Sequence, residues 1–258
     1  MGIMTRDDEV IFAMSLLPEY GGFANFTRYY FDWMPMAHQF ASAYGVQPNL
    51  TDVHGIGTGK TEGIIAAEMW KCATIPYYSA LHTSTTTPQA ELGYTIAMRF
   101  IENSKKKFIR FISDTVAKPY PTFLWKNGSR LIFKTVGYEA RNIRGDEFDF
   151  IGFDEAGYED KEITIKTLRG RLRGKRQDGT SRACQLHCLT TPTDVEWLIK
   201  RFERGEKDSP EYNPERFFSQ RVATYENIHL SKMQLQELTA DYPEELARVE
   251  LLGMFPDY

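Results

Sequence analysis

Residues 50–61 read Leu-Thr-Asp-Val-His-Gly-Ile-Gly-Thr-Gly-Lys-Thr, and no other stretch narrows the choice of fold as much. Thr51 to His54 reads as the end of a strand, and Gly55, Gly57 and Gly59 then turn the chain ahead of Lys60 and Thr61. Glycines at that spacing let the backbone bend tightly and aim successive amides at an anion. Lys60 supplies a point charge for the β and γ phosphates of a nucleotide, and the Thr61 hydroxyl a ligand for Mg²⁺. The helix expected from Thr61 towards Lys71 turns its positive N-terminus to the same anion. Strictly, the G-x-x-x-x-G-K-T pattern wants glycine at position 54, where His54 stands. A plain Gly-rich turn between strand and helix would not need the Lys-Thr pair. Gly55, Gly57, Thr58, Gly59, Lys60 and Thr61 are therefore expected to bind the triphosphate.

A phosphate loop needs an apolar strand that ends in acids. Phe148-Asp149-Phe150-Ile151-Gly152-Phe153 followed by Asp154-Glu155-Ala156 provides one. Asp154 at the strand end would stand beside Thr61 to hold the Mg²⁺ shell. Glu155 would orient and deprotonate the attacking water. Together the two stretches predict a nucleoside triphosphatase.

The rest of the chain is compatible with one large α/β domain, or a core with a small subdomain, at 258 residues. A hydrophobic content of 42% and an aromatic content of 14% suffice for a sizeable core. The net charge of −4 gives no global basic field, so any contact with nucleic acid must rest on local clusters. Three cysteines without paired spacing point to a reducing compartment. No signal peptide and no apolar run long enough to span a membrane can be read, so no membrane partner is expected.

Taken in order, 7–34 reads as helical with a break at Gly21-Gly22, and is expected to pack on the core. Gln39, after Pro35 and upstream of the loop, sits where helicase-like ATPases carry an adenine-reading glutamine. Tyr77 to His82 reads as a strand, followed by a helix capped by Thr87. Phe123 to Phe133 reads as a hairpin around Asn127-Gly128. Cys184 to Leu189 reads as a buried strand; Cys184 and Cys188 share a face that His187 does not, which argues against a zinc site. Thr193-Asp194-Val195-Glu196 reads as a capping box opening a helix. Phe217 to Thr224 is a last strand, followed by helices over 231–239 and 242–252. This alternation predicts a mostly parallel sheet with helices on both faces, and phosphate at the carboxyl ends of its strands.

Asn142-Ile143-Arg144-Gly145 ahead of the acidic strand, Thr190-Thr191-Pro192 with Trp197 behind it, and the Leu251-Leu252-Gly253-Met254-Phe255 ending together resemble the ATPase domain of the large terminase subunit of tailed bacteriophages. The resemblance runs from about Pro35 to Phe255. It implies a RecA-like P-loop NTPase core over 35–224, a small helical lid over 225–258, and a helical segment over 1–34. It also implies an ATP-driven motor that moves viral double-stranded DNA into procapsids in the host cytoplasm. Such a motor works as a homo-oligomeric ring on a portal, with a small terminase subunit. Carried over by that resemblance, Gln39 reads adenine, Lys60 and Thr61 hold phosphate and Mg²⁺, and Asp154 and Glu155 form the Walker B pair. Thr190 and Thr191 form the coupling motif that senses the γ-phosphate.

Two departures stand out. Many terminases carry an arginine inside the phosphate loop, where this chain has Ile56. Arg144 is then the candidate to meet the charge on the γ-phosphoryl group, acting on a neighbouring subunit's nucleotide. A structural ion pair with Asp146, Glu147 or Asp149 is the alternative. The second departure is length: large terminases usually continue into a nuclease domain, and a truncated motor domain is expected. Contact with the DNA backbone is expected from Lys126 and Arg130 beside the hairpin turn, and from the basic run Arg169, Arg171, Arg173, Lys175 and Arg176. A helicase-like or remodelling ATPase is the competing reading, since it shares Asp-Glu-Ala and the upstream glutamine.

Overall fold

The computed structural model describes residues 22–104, 108–174, 182–240 and 242–256. The N-terminal helix expected from residue 7, Lys175 and Arg176 lie outside these residues, apart from that helix's end.

Around a single sheet the chain lays down α1 (Gly22–Phe31), α2 (Ala37–Tyr44), β1 (Asn49–His54), α3 (Lys60–Thr74), β2 (Ser79–Thr83) and α4 (Thr87–Asn103). Three strands follow, β3 (Ile112–Val116), β4 (Thr122–Trp125) and β5 (Arg130–Phe133). Next come β6 (Phe150–Phe153), α5 (Glu162–Arg169), β7 (Gln185–Thr190), α6 (Glu196–Glu203), β8 (Phe217–Val222), α7 (Lys232–Thr239) and α8 (Glu244–Glu250). Among the described residues the sheet has eight strands, in the order β3-β4-β5-β2-β6-β7-β1-β8. From β5 to β8 every pairing is parallel, and β4 runs against both of its neighbours. The fold is therefore α/β with a mostly parallel sheet, as the alternation of elements requires. Strand β3 has no counterpart in the sequence reading: Ser113, Asp114 and Thr115 are exposed, so it lacks the alternating pattern that marks a half-buried strand.

The central strands are buried on both faces because helices cover each face. One face carries α1, α3 and α4 in a cluster that includes Phe23, Phe26, Phe31, Trp70 and Phe100. Phe31 and Phe100 stack with ring centroids 4.7 Å apart. The other face carries α5 and α6, through Ile165, Leu168, Trp197 and Leu198. Strands β1 and β7 are wholly buried. Arg201 on α6 survives burial because Thr51, Asn49, Leu50 and Leu186 all accept its guanidinium protons.

Two helix starts differ from expectation. Helix α6 begins after Val195, whose side chain caps nothing, because the Thr193 hydroxyl donates instead to the Gly157 carbonyl at 3.1 Å. The N-cap of α4 is Thr86 rather than Thr87, and the hydroxyls of Ser84, Thr85 and Thr86 all donate to Gln89 Oε1. In both places the local hydroxyl found a tertiary or side-chain partner in place of the helix amides.

Candidate active site

The loop after β1 begins where strand geometry ends. His54 keeps strand backbone and is 1% exposed, so the missing first glycine costs no conformational strain there. Burial, offset in part by Asp52 and helped by the Lys60 charge, holds its imidazole down at about 3, so the ring stays neutral. Positive φ is needed at Gly57 (68°) and at Gly59 (72°), which caps α3 in the left-handed region. Gly55 answers a different demand. A Cβ there would lie 2.5 Å from the Leu251 carbonyl oxygen and 2.6 Å from Thr224 Oγ1.

From that loop the functional side chains reach adjacent strands. Thr61 Oγ1 donates to Asp154 Oδ2 at 2.8 Å, joining the start of α3 to the end of β6. Lys60 Nζ, buried at the base of the loop, donates to Thr191 Oγ1 at 3.2 Å just past β7. The expected loop, acidic strand and Thr190-Thr191 pair therefore meet at the carboxyl end of the parallel strands. Parallel register makes this possible, because β1, β7 and β6 all end on one side.

Glu155 sits at the centre in the left-handed region (φ 51°, ψ 42°), a conformation costing about 1–3 kcal/mol for a residue with a Cβ. Its Oε2 is buried with no hydrogen-bond partner among the described residues. Burial pushes its carboxyl above the ordinary range; Lys60 and the Thr191 backbone pull it back, and Asp154 pushes it further up. Such an acid has an acceptor oxygen free to take a proton from water. Thr190 ties this turn to β7: its hydroxyl accepts the Gly157 amide at 3.1 Å and donates to the Thr191 carbonyl at 2.7 Å. An adjustment at Thr191 would reach Glu155 through that contact.

The hard oxygen donors of Thr61 and Asp154, the latter 2% exposed, fit a divalent cation of the Mg²⁺ type. The orphaned Glu155 oxygen beside them is consistent with a site that holds more than the chain itself provides.

The remaining candidate residues differ in exposure and in partners. Gln39 is 4% exposed, its Oε1 accepts the Met36 amide at 2.7 Å, and its Nε2 donates to the Gly59 carbonyl at 2.7 Å. A conformation that satisfies the amide on both sides ties α2 to the loop. Arg144 is exposed at the end of a 3₁₀ turn over Tyr138–Ile143. The three acids of the alternative ion-pair reading are engaged by other cations: Asp146 with Lys134 (3.3 Å), Glu147 with Arg173 (3.5 Å) and Asp149 with Arg182 (3.2 Å). Lys126 is exposed, whereas the Arg130 guanidinium turns inward to Ser79 Oγ at 2.9 Å and the Glu147 carbonyl. Arg169 is exposed on α5; burial and the nearby Arg216 and Arg204 lower its pKa. Arg171 is half-buried and Arg173 exposed. On the buried strand β7, His187 places its Nε2 2.9 Å from Asp52 Oδ2, which also accepts Ser42 Oγ at 2.6 Å.

The sequence does not point to the C-terminal contacts with the loop. The Gly55 amide donates to the Val222 carbonyl at 2.8 Å and the Ile56 amide to the Glu250 carbonyl at 2.7 Å. Thr224 and Asn227 also reach the loop from far along the chain. Backbone partners leave no trace in side-chain chemistry, and nothing local marks Asn227.

A family model described as the N-terminal part of the terminase large subunit, T4-like-virus type, matches residues 53–257. No curated protein matches the chain. Among solved structures, the large terminase ATPase domain of Thermus phage P74-26 superposes with a TM-score of 0.61 at 18% identity, over 88% of this chain and 96% of that one. The large terminase of a thermophilic bacteriophage gives 0.66 at 16% identity, over 86% of this chain and 54% of that one. The bacteriophage HK97 large terminase gives 0.68 at 14% identity, over 98% of this chain and 56% of that one. The chain thus spans nearly all of one isolated ATPase domain and about half of the two longer terminases.

Proposed function

Since the chain belongs to the terminase large-subunit family, matching the N-terminal part of the T4-like-virus type, we propose that it hydrolyses ATP with Mg²⁺ to drive double-stranded DNA into a viral procapsid. One observation carries the hydrolytic part: Thr61 meets Asp154 at 2.8 Å while the adjacent Glu155 keeps a buried oxygen without a partner among the described residues. In this reading the loop amides and Lys60 hold the phosphates, and Thr61 and Asp154 hold the cation. That cation neutralises charge on the β and γ phosphates when bound. Glu155 accepts the proton of the attacking water. Loss of the γ-phosphate frees Lys60 to tighten on Thr191, and Thr190 passes that change to the Glu155 turn. Structures of the thermophilic-phage terminase in complex with ADP and with ATP-γ-S support a nucleotide in this fold.

DNA contact is proposed for Lys126 and for Arg169, Arg171 and Arg173, through the phosphate backbone and without sequence readout. Arg130 supports the hairpin from within. A portal-mounted ring, a small terminase subunit and the host cytoplasm belong to the same proposal; among the described residues no helix is long and apolar enough to cross a membrane. Family membership disfavours the helicase-like alternative.

The test is ATP turnover with Mg²⁺, with and without double-stranded DNA, beside a strand-separation assay. The proposal expects turnover that needs Mg²⁺ and rises with DNA, and no strand separation. Absence of turnover under every condition would overturn it.

A further inference from the structure

Four successive carbonyl oxygens of the phosphate loop are held from outside by side chains. Thr224 Oγ1 donates to the Ile56 carbonyl at 2.7 Å, and Asn227 Nδ2 to that of Gly57 at 2.6 Å. His38 Nε2 lies 3.0 Å from the Thr58 carbonyl, and Gln39 Nε2 donates to that of Gly59 at 2.7 Å. A trans peptide unit is planar, with its C=O and N–H on opposite sides. Holding the carbonyls of residues 56 to 59 therefore fixes the amides of Gly57, Thr58, Gly59 and Lys60, each pointing away from its own held carbonyl. Successive fixed amides are what an anion nest is made from. Polarising each carbonyl also strengthens its peptide N–H as a donor. In a loop rich in glycine, these external bonds replace the stiffness that side chains would have given.

The four clamps come from two places. His38 and Gln39 belong to α2, which is fixed to the core: Gln220 Nε2 donates to the His38 carbonyl at 3.0 Å, and Gln39 is buried. Thr224 and Asn227 lie at the root of the C-terminal helices. Asn227 Oδ1 accepts the His229 amide at 2.8 Å, which directs Nδ2 towards the loop. Neither α7 nor α8 contains a buried residue, so these helices rest lightly on the rest of the molecule. The loop bonds, with the Ile56 amide to the Glu250 carbonyl of α8, are among the attachments of this end of the chain.

We propose that Thr224 and Asn227 are positioning residues forming a movable half of the phosphate-loop clamp, so that docking of the C-terminal helices sets the loop's affinity for the triphosphate. The inference rests on the reading that this loop binds nucleotide. Coupling of this kind is reciprocal: whatever the docked helices add to phosphate binding, bound phosphate adds to docking. It gives the C-terminal helices a direct hold on the site, separate from the Thr190-Thr191 route.

The experiment uses the full chain in a Glu155→Gln background, with a fluorescent ATP analogue for affinity and hydrogen exchange across 224–256. Asn227→Asp keeps the size but removes the donor and sets a carboxylate against the Gly57 carbonyl. It should weaken binding about tenfold, the effect of losing roughly 1.4 kcal/mol, with the melting temperature of the core unchanged. Thr224→Val should weaken binding several-fold, while Thr224→Ser, which keeps the hydroxyl, should match the parent. ATP should slow exchange over 224–230 in the parent and not in Asn227→Asp. Parent-like affinity and parent-like protection in Asn227→Asp would overturn the clamp. Failure of the parent itself to bind nucleotide would instead bring down the reading on which the clamp rests, and the clamp with it.

Discussion

Under the proposed mechanism, Lys60 and Glu155 divide the work of the site by charge. In the proposed reading the ammonium meets phosphate already present in the ground state, whereas the carboxylate meets a proton that moves only in the transition state. Removing the first should cost binding and removing the second should cost rate. Lys60→Ala is accordingly expected to lose roughly 10- to 100-fold in ATP affinity, the range of a charge-assisted hydrogen bond. Glu155→Gln should bind ATP like the parent and lose about 10²- to 10⁴-fold in turnover. Equilibrium binding and steady-state turnover on the same preparations check both. Near-normal turnover in Glu155→Gln would remove that residue from the mechanism.

Between elements, contacts are decided by backbone as much as by side chains. The segment around Leu251 approaches Gly55 so closely that no Cβ fits, the nearest atom being a carbonyl oxygen at 2.5 Å that cannot rotate away. Gly55→Ala should therefore push that segment off the loop at a cost of about 1–3 kcal/mol. The expected readout is faster hydrogen exchange over 224–256 with β1, β6 and β7 unchanged; uniform loosening of the sheet would contradict it. On α5, Arg169 faces Arg216 and Arg204, the latter paired with Glu211 at 3.1 Å, and this group is the candidate contact for a polyanion. Arg169→Glu should weaken DNA binding equally for all sequences. It should also reduce the slope of log affinity against log salt by about 0.9 for each phosphate no longer neutralised. An unchanged slope would exonerate this patch.

At the scale of the whole molecule, the site as built from one chain has no arginine in the loop, Ile56 standing where one could be. Arg144 is exposed, and the acids that could have held it as a structural pair are engaged elsewhere. A guanidinium in that situation is suited to a neighbour's nucleotide, where it would contribute about 10³- to 10⁵-fold in rate. Arg144→Ala and Glu155→Gln subunits should each be inactive alone as assembled rings on DNA. Mixed, they should recover ATPase activity, because some interfaces then join an intact Arg144 to an intact Glu155. Full activity of Arg144→Ala rings by themselves would refute trans action.

How much of this was legible in the chain differs from residue to residue. Gly57, Gly59, Lys60 and Thr61 declare themselves because a positive φ, a cation and a hydroxyl are needed within a few consecutive positions. The Phe150–Phe153 strand declares itself because a strand buried on both faces is a continuous apolar run. Local chemistry of that kind determined the α/β fold and the phosphate loop. Only the tertiary structure decided what each polar group does once several partners compete for it. Gln39 turned to the Gly59 carbonyl, Thr193 to Gly157 rather than to its own helix, and Arg130 to Ser79 and Glu147. Thr224 and Asn227 became part of the loop's support from far along the sequence. A buried donor takes the acceptor that packing brings within reach, since leaving one unmade costs about 1–3 kcal/mol, and packing is settled by the whole chain rather than by its neighbours in sequence.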